Sequence, residues 1–254
     1  MRNKKCYQTS SNFSETLNRK VTFYFFSRLK ENETGPLLIM HDGQNLFDDA
    51  KAAYGASWRF IDALMDPSCP RVRVLGISNA ESMEGRLDEY SPFKRENFIE
   101  GGLNRSCGGK GDVYLDYLMK EVVPFYIKKY PTDKVFMGGS SMGGFISLAA
   151  ILRYPNQLTG AFGLSNAWWF SEEPLIERIH NFKTTLPKFY MDSGNCESED
   201  PQLNAMYLKS HQRIAQTLNQ LPNKGVKAEL IEGGKHFESY WADRLLGVLI
   251  WLID

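Results

Sequence analysis

The stretch with the clearest chemical potential is "GGSSMGG" at residues 138–144, which places four glycines and two serines between two apolar runs. The preceding "KVFMGG" is typical of a strand and the following "GGFISLAAIL" of a helix, so the motif occupies a strand-to-helix turn. It could be a phosphate-binding loop, an ordinary turn, or the nucleophile elbow G-x-S-x-G centred on Ser141. No frame supplies GxGxxG and no lysine follows the glycines, which disfavours the phosphate loop.

The elbow gives a physical reason for each residue of the turn. Gly139 and Gly143, two residues on either side of Ser141, avoid side chains that would collide with the strand and the helix. The N–H of Met142 would point to the place where an oxyanion forms, close to the positive end of the helix. Ser140 lacks the flanking glycines and is expected to be structural. We therefore favour the elbow over an ordinary turn and predict Ser141 as a nucleophile.

Such a serine needs a base, and chains with this elbow carry serine, acid and histidine in that order. His236 follows the predicted strand "VKAELIE" through "GGK", which places it at the carboxyl end of a strand. His211 falls within a helical pattern, His180 ends a predicted helix, and His41 precedes the serine in the chain. His236 is therefore the predicted base.

The acid is expected after the predicted strand "LPKFYMD", where the chain offers Asp192, Glu197, Glu199 and Asp200. Glu197 lies in the loop, from which its carboxylate could curl toward His236 and fix the tautomer of the imidazole. Asp192 lies at the strand end, and an alternative role for it is to accept backbone N–H groups beside Ser-Gly. We favour Glu197 as the acid and keep Asp192 as the alternative.

A second oxyanion donor is expected from the loop "HDGQNLFDD", which follows the apolar run "PLLIM". Gly43 would allow the backbone a close approach, and the N–H of Gln44 is the candidate donor. The competing interpretation is an ordinary Asp-Gly turn.

Predicted strands alternate with predicted helices along the chain. The strands are 21–29, 36–42, 71–77, 133–139, 158–165, 186–192 and 226–232, and the helices are 57–66, 113–130 with a bend at Pro124, 143–155, 172–180, 200–221 and 237–253. This alternation predicts an α/β fold with a mostly parallel sheet and helices on both faces. Ligands of such sheets bind beyond the carboxyl ends of the strands.

No linker divides the chain, so residues 1–254 are predicted to form a single domain. Residues 1–18 are allowed to be a loosely ordered N-terminal segment, and only one strand is obvious before residue 30. Residues 78–112 form a long polar connection, of the kind that is usually functional or disordered.

The composition argues against several classes of partner. The 254 residues include 30 basic and 30 acidic side chains, and this balance gives no reason to expect nucleic acid or a membrane. The N-terminus lacks the apolar run of a secretory signal. Four cysteines, Cys6, Cys69, Cys107 and Cys196, form no CxxC pair and no cluster with histidines. We therefore predict free thiols, a cytoplasmic protein, no metal and no cofactor.

Five segments together resemble a known family. They are "MHDGQNLFDD", "RLDEYSP", "GGSSMGGFISL", "LSNAWWF" and "GGKHFESYW", in this order. The order is similar to the esterase D and enterochelin-esterase-like branch of the α/β-hydrolases, with the mycolyltransferase antigens as more distant relatives. The resemblance covers nearly the whole chain beyond its N-terminal segment. It implies the α/β-hydrolase fold, a three-layer sandwich, and an esterase without a cofactor.

Carried over to this chain, the resemblance implies Ser141 as nucleophile, His236 as base and the N–H groups of Gln44 and Met142 as oxyanion donors. Members of the family often carry the acid after Gly-x-x in the loop that corresponds to "SGNCE". That position falls on Glu197, although the residue here is Glu rather than Asp.

The resemblance also implies that "GRLDEYSP" and the paired tryptophans lie near the site. Arg86, Glu89 and Tyr90 could bind a polar substrate, or they could form a salt bridge and a packed tyrosine that brace the loop. One tryptophan of Trp168 and Trp169 could wall the pocket, with Trp168 as the candidate, while core packing is equally expected for the other.

These residues predict a serine carboxylic-ester hydrolase that acts through an acyl-enzyme on soluble polar, carbohydrate-linked or aromatic acyl esters. No extended apolar lid segment is present, which argues against a lipase acting on oil droplets. The alternatives are an acyltransferase that uses the same serine and a catalytically inactive binding module. The expected partner is a small-molecule ester, and a homo-oligomer is left open.

Overall fold

The computed structural model describes residues 7–100 and 103–254. The described strands are β1 (Gln8–Ser14), β2 (Arg19–Ser27), β3 (Leu37–Met40), β4 (Arg73–Ile77), β5 (Lys94–Glu100), β6 (Leu103–Gly108), β7 (Val135–Ser140), β8 (Gly160–Leu164), β9 (Lys188–Gly194) and β10 (Val226–Ile231). The described helices are α1 (Phe60–Met65), α2 (Met83–Tyr90), α3 (Gly111–Tyr117), α4 (Val123–Lys129), α5 (Met142–Arg153), α6 (Glu172–His180), α7 (Pro201–Asn219) and α8 (Glu238–Ile253).

One eight-stranded sheet has the order β1-β2-β4-β3-β7-β8-β9-β10. The strand β2 runs antiparallel to β1 and β4, and the other pairs are parallel. Strands β3, β4 and β8 are buried along their whole length, as expected for parallel strands covered on both faces. The predicted mostly parallel sheet is therefore confirmed.

Two hydrophobic cores lie on opposite faces of this sheet. Along β3, Leu37 and Ile39 pack into one core while Leu38 and Met40 pack into the other, because successive side chains of a strand point to opposite faces. Helices α1 and α8 supply the second core, and helices α2 to α7 supply the first. The fold is the three-layer sandwich that the resemblance implied.

The N-terminal edge of the sheet departs from the prediction. Residues 8–14, expected to belong to a loosely ordered segment, form β1 and pair with β2 from Gln8↔Phe25 to Ser14↔Arg19. The sequence "QTSSNFS" is exposed at six of its seven positions, so no apolar alternation announces this edge strand. Residues 1–6 of the predicted segment lie outside the described residues.

The long polar connection at 78–112 is structured rather than a plain loop. It contains α2 and the antiparallel hairpin β5–β6. The helix begins after Ser82, whose hydroxyl accepts a hydrogen bond from the Gly85 N–H at 3.0 Å. The sequence does not predict α2, because only its last turn is buried and the helix therefore lacks a long apolar face. This helix carries Arg86 to the carboxyl edge of the sheet.

The predicted distortion near Pro124 is present. A turn of π-helix, Leu118–Val122, separates α3 from α4, which has Pro124 in its first turn. Proline lacks an N–H and its ring clashes with the carbonyl four residues earlier, so the regular hydrogen-bond ladder is interrupted there.

Cys69, Cys107 and Cys196 are free, and Cys6 lies outside the described residues. Within residues 7–100 and 103–254, none of the helices has the length and apolarity needed to cross a bilayer.

Candidate active site

Ser141 occupies a strained turn between β7 and α5. Its backbone has φ 57° and ψ −122°, a conformation that is costly for a residue with a side chain. A Cβ atom at Gly139 would lie 3.0 Å from the backbone of Gly143, so the crossing of strand and helix leaves no room for one. The Ser141 N–H is held by the carbonyl of Leu164 at 2.9 Å. Gly139 thus has the steric reason predicted from the sequence, whereas a Cβ atom at Gly143 would meet His41 Cβ at 3.3 Å, after β3.

The two predicted oxyanion donors lie in the first turns of two helical segments near Ser141. Met142 is the first residue of α5, where a backbone N–H has no acceptor within the helix. Gln44 lies in the 3₁₀ turn Gly43–Asn45 that follows β3. A Cβ atom at Gly43 would come within 2.6 Å of the backbone of Gly76, so this turn is pressed against β4.

His236 contacts one of the two candidate acids. It lies in the loop between β10 and α8, and its Nδ1 is 2.9 Å from Oε2 of Glu197. The imidazole is one-quarter exposed, while the Glu197 side chain is fully buried. The ring of Tyr207 lies 5.3 Å from the imidazole and that of Trp241 lies 5.2 Å away, edge-on. These contacts limit the rotation of the imidazole.

The loop that carries Glu197 is tied to the turn before His236. The second carboxylate oxygen of Glu197 accepts the Gly194 N–H at 2.5 Å, and the Cys196 N–H donates to the carbonyl of Gly234 at 3.1 Å. Burial by itself raises the pKa of Glu197, but the hydrogen bond and charge of His236 and the Gly194 N–H outweigh it and leave this pKa below its ordinary value. The carboxylate is therefore ionised beside the imidazole.

Asp192, the alternative acid, points to other partners. Its oxygens accept hydrogen bonds from Arg244 Nε at 2.6 Å and Nη2 at 3.1 Å. It also accepts the Ser165 N–H at 2.8 Å. Complete burial raises its pKa in spite of Arg244. Asp192 therefore braces the strand ends beneath the site, which is the acceptor role kept open for it from the sequence.

A second buried ion pair holds the loop after β3. Asp42 has a left-handed backbone, and its carboxylate accepts Arg86 Nε at 2.9 Å and Nη2 at 2.7 Å. Asn79 donates to the same carboxylate at 2.6 Å, and the Asp42 N–H donates to the Tyr90 hydroxyl at 3.0 Å. Burial works against the ionised form, but Arg86 and Asn79 bring the pKa of Asp42 below its ordinary value. The turn that presents Gln44 is thus fixed from α2.

These residues surround a cavity of about 460 Å³ at the carboxyl edge of the sheet. Its lining is rich in polar side chains: Asp42, Gln44, Asn79, Arg86, Ser141, His236 and Glu238. A cavity of this volume suits a small-molecule ligand.

Comparison with known proteins assigns the family. A model of the family described as "Putative esterase" matches residues 14–252, nearly the whole chain. The protein belongs to this esterase family. Membership in this family makes it an ester hydrolase.

Three relatives illustrate the similarity. The esterase is 24% identical over 247 residues to an uncharacterized protein of Bacillus subtilis, YbbA, with 92% of each chain covered. It superposes on an IroE-like serine hydrolase from Shewanella oneidensis with a TM-score of 0.76 at 19% identity, covering 97% of this chain and 80% of the other. A siderophore hydrolase, EstA from Aspergillus nidulans, superposes with a TM-score of 0.74 at 12% identity, covering 98% and 96%. At such identities, the two structures support the fold alone.

Two of the predicted substrate-binding residues of the esterase belong to its interior. Trp168 is fully buried and packs against Phe145 and Phe189, with ring centroids 5.9 and 6.3 Å away. Tyr90 is also fully buried, and its hydroxyl supports the Asp42 backbone. The prediction that these side chains line the pocket is wrong for both, because neither is among the residues that line the cavity and both pack within the core. Arg86, the third candidate, does line it.

The remaining predicted residues have structural partners. Glu89 pairs with Arg19 at 2.6 Å, which is the bracing role considered for it. Trp169 is half-buried beside Tyr207, away from the Ser141 cavity. Ser140 ends β7 and is buried.

The other histidines lie outside the cavity lining. His41 is buried below the site with its Nδ1 2.9 Å from the Tyr114 hydroxyl, and burial lowers its pKa to about 3. His211 is buried in α7, and burial lowers its pKa to about 4. His180 is exposed at the end of α6.

Sequence reasoning missed several residues that line the cavity, and two of them carry polar groups that bear on the site. Asn79 follows β4 and binds Asp42, and Glu238 begins α8 two residues after His236. One sequence signal for Glu238 was available, since it lies close to the predicted base and at the start of a predicted helix. In the described part of the chain, no three His, Cys, Asp or Glu side chains are grouped so that they could hold a metal ion.

Proposed function

We propose that this esterase is a serine carboxylic-ester hydrolase with Ser141 as nucleophile, His236 as base and Glu197 as acid. The observation that carries the proposal is the 2.9 Å contact between His236 Nδ1 and Glu197 Oε2, on the same cavity as the strained Ser141. Asp192 is a poor candidate for the acid, because Arg244 and the Ser165 N–H already occupy its oxygens.

In the proposed reaction, His236 Nε2 takes the proton of Ser141 as its Oγ attacks the ester carbonyl carbon. The protonated imidazole then gives this proton to the leaving alcohol as the C–O bond breaks, which leaves an acyl group on Ser141. Water attacks the acyl-enzyme by the same route, and the acid product leaves. Glu197 holds the imidazole in the tautomer with its proton on Nδ1 and stabilises the imidazolium.

The N–H groups of Met142 and Gln44 are the proposed donors to the oxyanion. Both lie in the first turn of a helical segment, so their N–H groups lack acceptors within those segments. Donors that are fixed before the substrate arrives stabilise the developing charge without reorganisation, and each is worth about 10²–10³ in rate.

The polar lining supports soluble polar, carbohydrate-linked or aromatic acyl esters as the substrate class. Arg86 and Asn79 present polar groups to a cavity of about 460 Å³, and the aromatic residues Tyr54, Phe237 and Trp241 also line it. The siderophore hydrolase among the structural neighbours makes siderophore esters one group to test. The cytoplasm is the proposed location.

The test is intact-mass spectrometry after exposure to a fluorophosphonate. The wild type should gain one adduct, which peptide mapping assigns to Ser141, and Ser141→Ala should gain none. Ser140→Ala is the matched control and should still react. No adduct on the folded wild type, or an adduct that survives Ser141→Ala, would contradict the proposal. Product analysis with an added acceptor alcohol separates hydrolysis from acyl transfer.

A further inference from the structure

Glu238 is a buried carboxylate in the wall of the cavity of Ser141, and one of its oxygens lacks a hydrogen-bond partner. Its residue surface is 1% exposed, and it lines the same cavity as Ser141 and His236. One carboxylate oxygen, Oε1, lies 3.4 Å from Asn45 Nδ2, which is a weak hydrogen bond. The other oxygen, Oε2, is buried and has no hydrogen-bond partner among the described residues.

The cations around Glu238 are already engaged. Arg86 makes a bidentate pair with Asp42, and His236 uses its Nδ1 for Glu197. The described residues contain no ion pair to Glu238 within 4.0 Å. Burial raises the pKa of Glu238, although its own backbone N–H and the charges of His236 and Arg86 act in the opposite direction. A buried acceptor that stays unpaired destabilises the folded protein, because it has lost its hydrogen bonds to water. Such a group needs a reason or a partner.

A purely structural reason accounts for only part of this arrangement. An acidic side chain in the first turn of α8 interacts favourably with the helix dipole. That benefit is equally available to an exposed carboxylate, and it does not require Oε2 to be buried at the wall of a cavity. The favourable position in the helix therefore does not explain the unpaired oxygen.

We propose that Glu238 forms a subsite for a hydrogen-bond donor of the substrate, either a hydroxyl or an ammonium group. The subsite rests on the proposed function, because it orients the ester relative to Ser141. A donor on the substrate would satisfy Oε2, whereas an apolar group would bury this acceptor without a partner. Sites built to hydrogen-bond a donor reject analogues that lack it. The esterase should therefore discriminate between esters of equal shape.

The experiment uses two matched series of esters. In the first, the acyl part is butanoate, β-hydroxypropanoate or β-alaninate as the phenyl ester, so that methyl, hydroxyl and ammonium occupy the same place. In the second, the alcohol part is a phenol with a para-ethyl, para-hydroxymethyl or para-aminomethyl group, as the acetate. The wild type should prefer a donor-bearing ester in at least one series by about 10- to 100-fold in kcat/KM, the value of a hydrogen bond to a charged group.

Two variants of Glu238 separate the donors. Glu238→Leu removes the acceptor at similar size and should abolish either preference, mainly through a higher KM. Glu238→Gln keeps an acceptor but loses the charge, so an ammonium preference should fall and a hydroxyl preference should survive. Asp243→Asn, at an exposed position of the same helix, is the control and should retain the wild-type preference. If Glu238→Leu fails to fold, Glu238→Ala replaces it as the variant without an acceptor and should likewise abolish either preference.

Fluorophosphonate labelling of the wild type distinguishes the failures. If Ser141 is labelled but the wild type shows no preference in either series, the subsite is wrong while the proposed function stands. A preference that persists unchanged in the folded Glu238→Leu protein would equally overturn the subsite. If Ser141 is not labelled, the proposed function fails and the subsite fails with it.

Discussion

Two buried Arg–Asp pairs flank the turn that carries Ser141, and they differ in what they touch. Arg86 pairs with Asp42 after β3, at 2.7 Å, and Arg244 pairs with Asp192 at the end of β9, at 2.6 Å. Arg86 and Asp42 line the cavity, so the first pair faces the substrate. The second pair lies behind the site, where the Asp192 carboxylate is completely buried and holds the Ser165 N–H.

Because of this difference, one Arg–Asp pair is expected to affect the reaction and the other the stability of the fold. The Arg86–Asp42 pair fixes the turn that presents Gln44, so its proposed contribution is to the reaction. The Arg244–Asp192 pair joins α8 to β9 and to the loop after β8, so its contribution is to stability. Because Asp192 is committed to Arg244, the task of orienting His236 falls to Glu197 under the proposed mechanism.

The largest expected effect on the reaction rate comes from replacing Glu197. Asp192 is committed to Arg244, so Glu197 is the acid that contacts His236. Glu197→Gln places an amide beside His236 Nδ1 and favours the wrong tautomer. We expect kcat/KM for a phenyl ester to fall by about 10³–10⁴-fold, with little change in melting temperature. A folded Glu197→Gln protein that keeps the wild-type rate would show that Glu197 is not the acid.

A smaller but still large effect is expected from Asp192, now on stability. Asp192→Asn leaves the buried Arg244 without its counter-ion, and breaking such a pair costs about 3–5 kcal/mol of unfolding free energy. Denaturant unfolding measures the loss. The control is Arg71→Leu, which breaks the exposed Arg71–Glu33 pair and should cost no more than about 1 kcal/mol. If Asp192→Asn were stable but inactive, the roles of Asp192 and Glu197 would have to be exchanged.

The Arg86–Asp42 pair should have a moderate effect on the reaction. Asp42→Asn weakens the contact with Arg86 and loosens the turn that presents the Gln44 N–H. We expect kcat to fall by about 10- to 100-fold, less than the loss of a whole oxyanion donor, with KM changed less than kcat. A loss confined to KM would mean that the pair binds substrate and does not position the donor.

The smallest expected effect is the pH dependence of the contribution that Asp42 makes to the free energy of unfolding. The folded state holds the pKa of Asp42 below its ordinary value of 3.8, so its stabilising contribution is present well above that pH. The contribution is lost as the pH falls through the folded-state pKa. The gap in unfolding free energy between wild type and Asp42→Asn should therefore narrow from about pH 6 to about pH 3. A gap that widened on acidification would contradict the assigned direction.

The sequence predicted the structure correctly where a local pattern is compatible with one conformation. Alternating apolar runs predicted the parallel sheet, and the glycines around Ser141 predicted the turn, because the steric limits there are local. The strand β1 and the helix α2 escaped prediction because their sequences are polar and their burial depends on distant partners.

The side-chain partners of the site were harder to predict for the same reason. Tyr90 and Trp168 are aromatic residues of the kind that often line pockets. Both are buried because of how the helices pack, which the sequence alone does not specify. Glu197 and Asp192 are five positions apart in one loop region, and the partners that separate them, His236 and Arg244, come from other elements. No local pattern specifies these long-range contacts.

The most direct test of the central claim is rapid-quench mass spectrometry of the esterase during turnover of nitrophenyl acetate. The proposed acyl-enzyme mechanism predicts an acetyl group that appears before steady state, maps to Ser141, and is absent from Ser141→Ala and His236→Ala. Steady hydrolysis without any acyl-enzyme, or an acetyl group on another residue that the reaction passes through, would contradict the account.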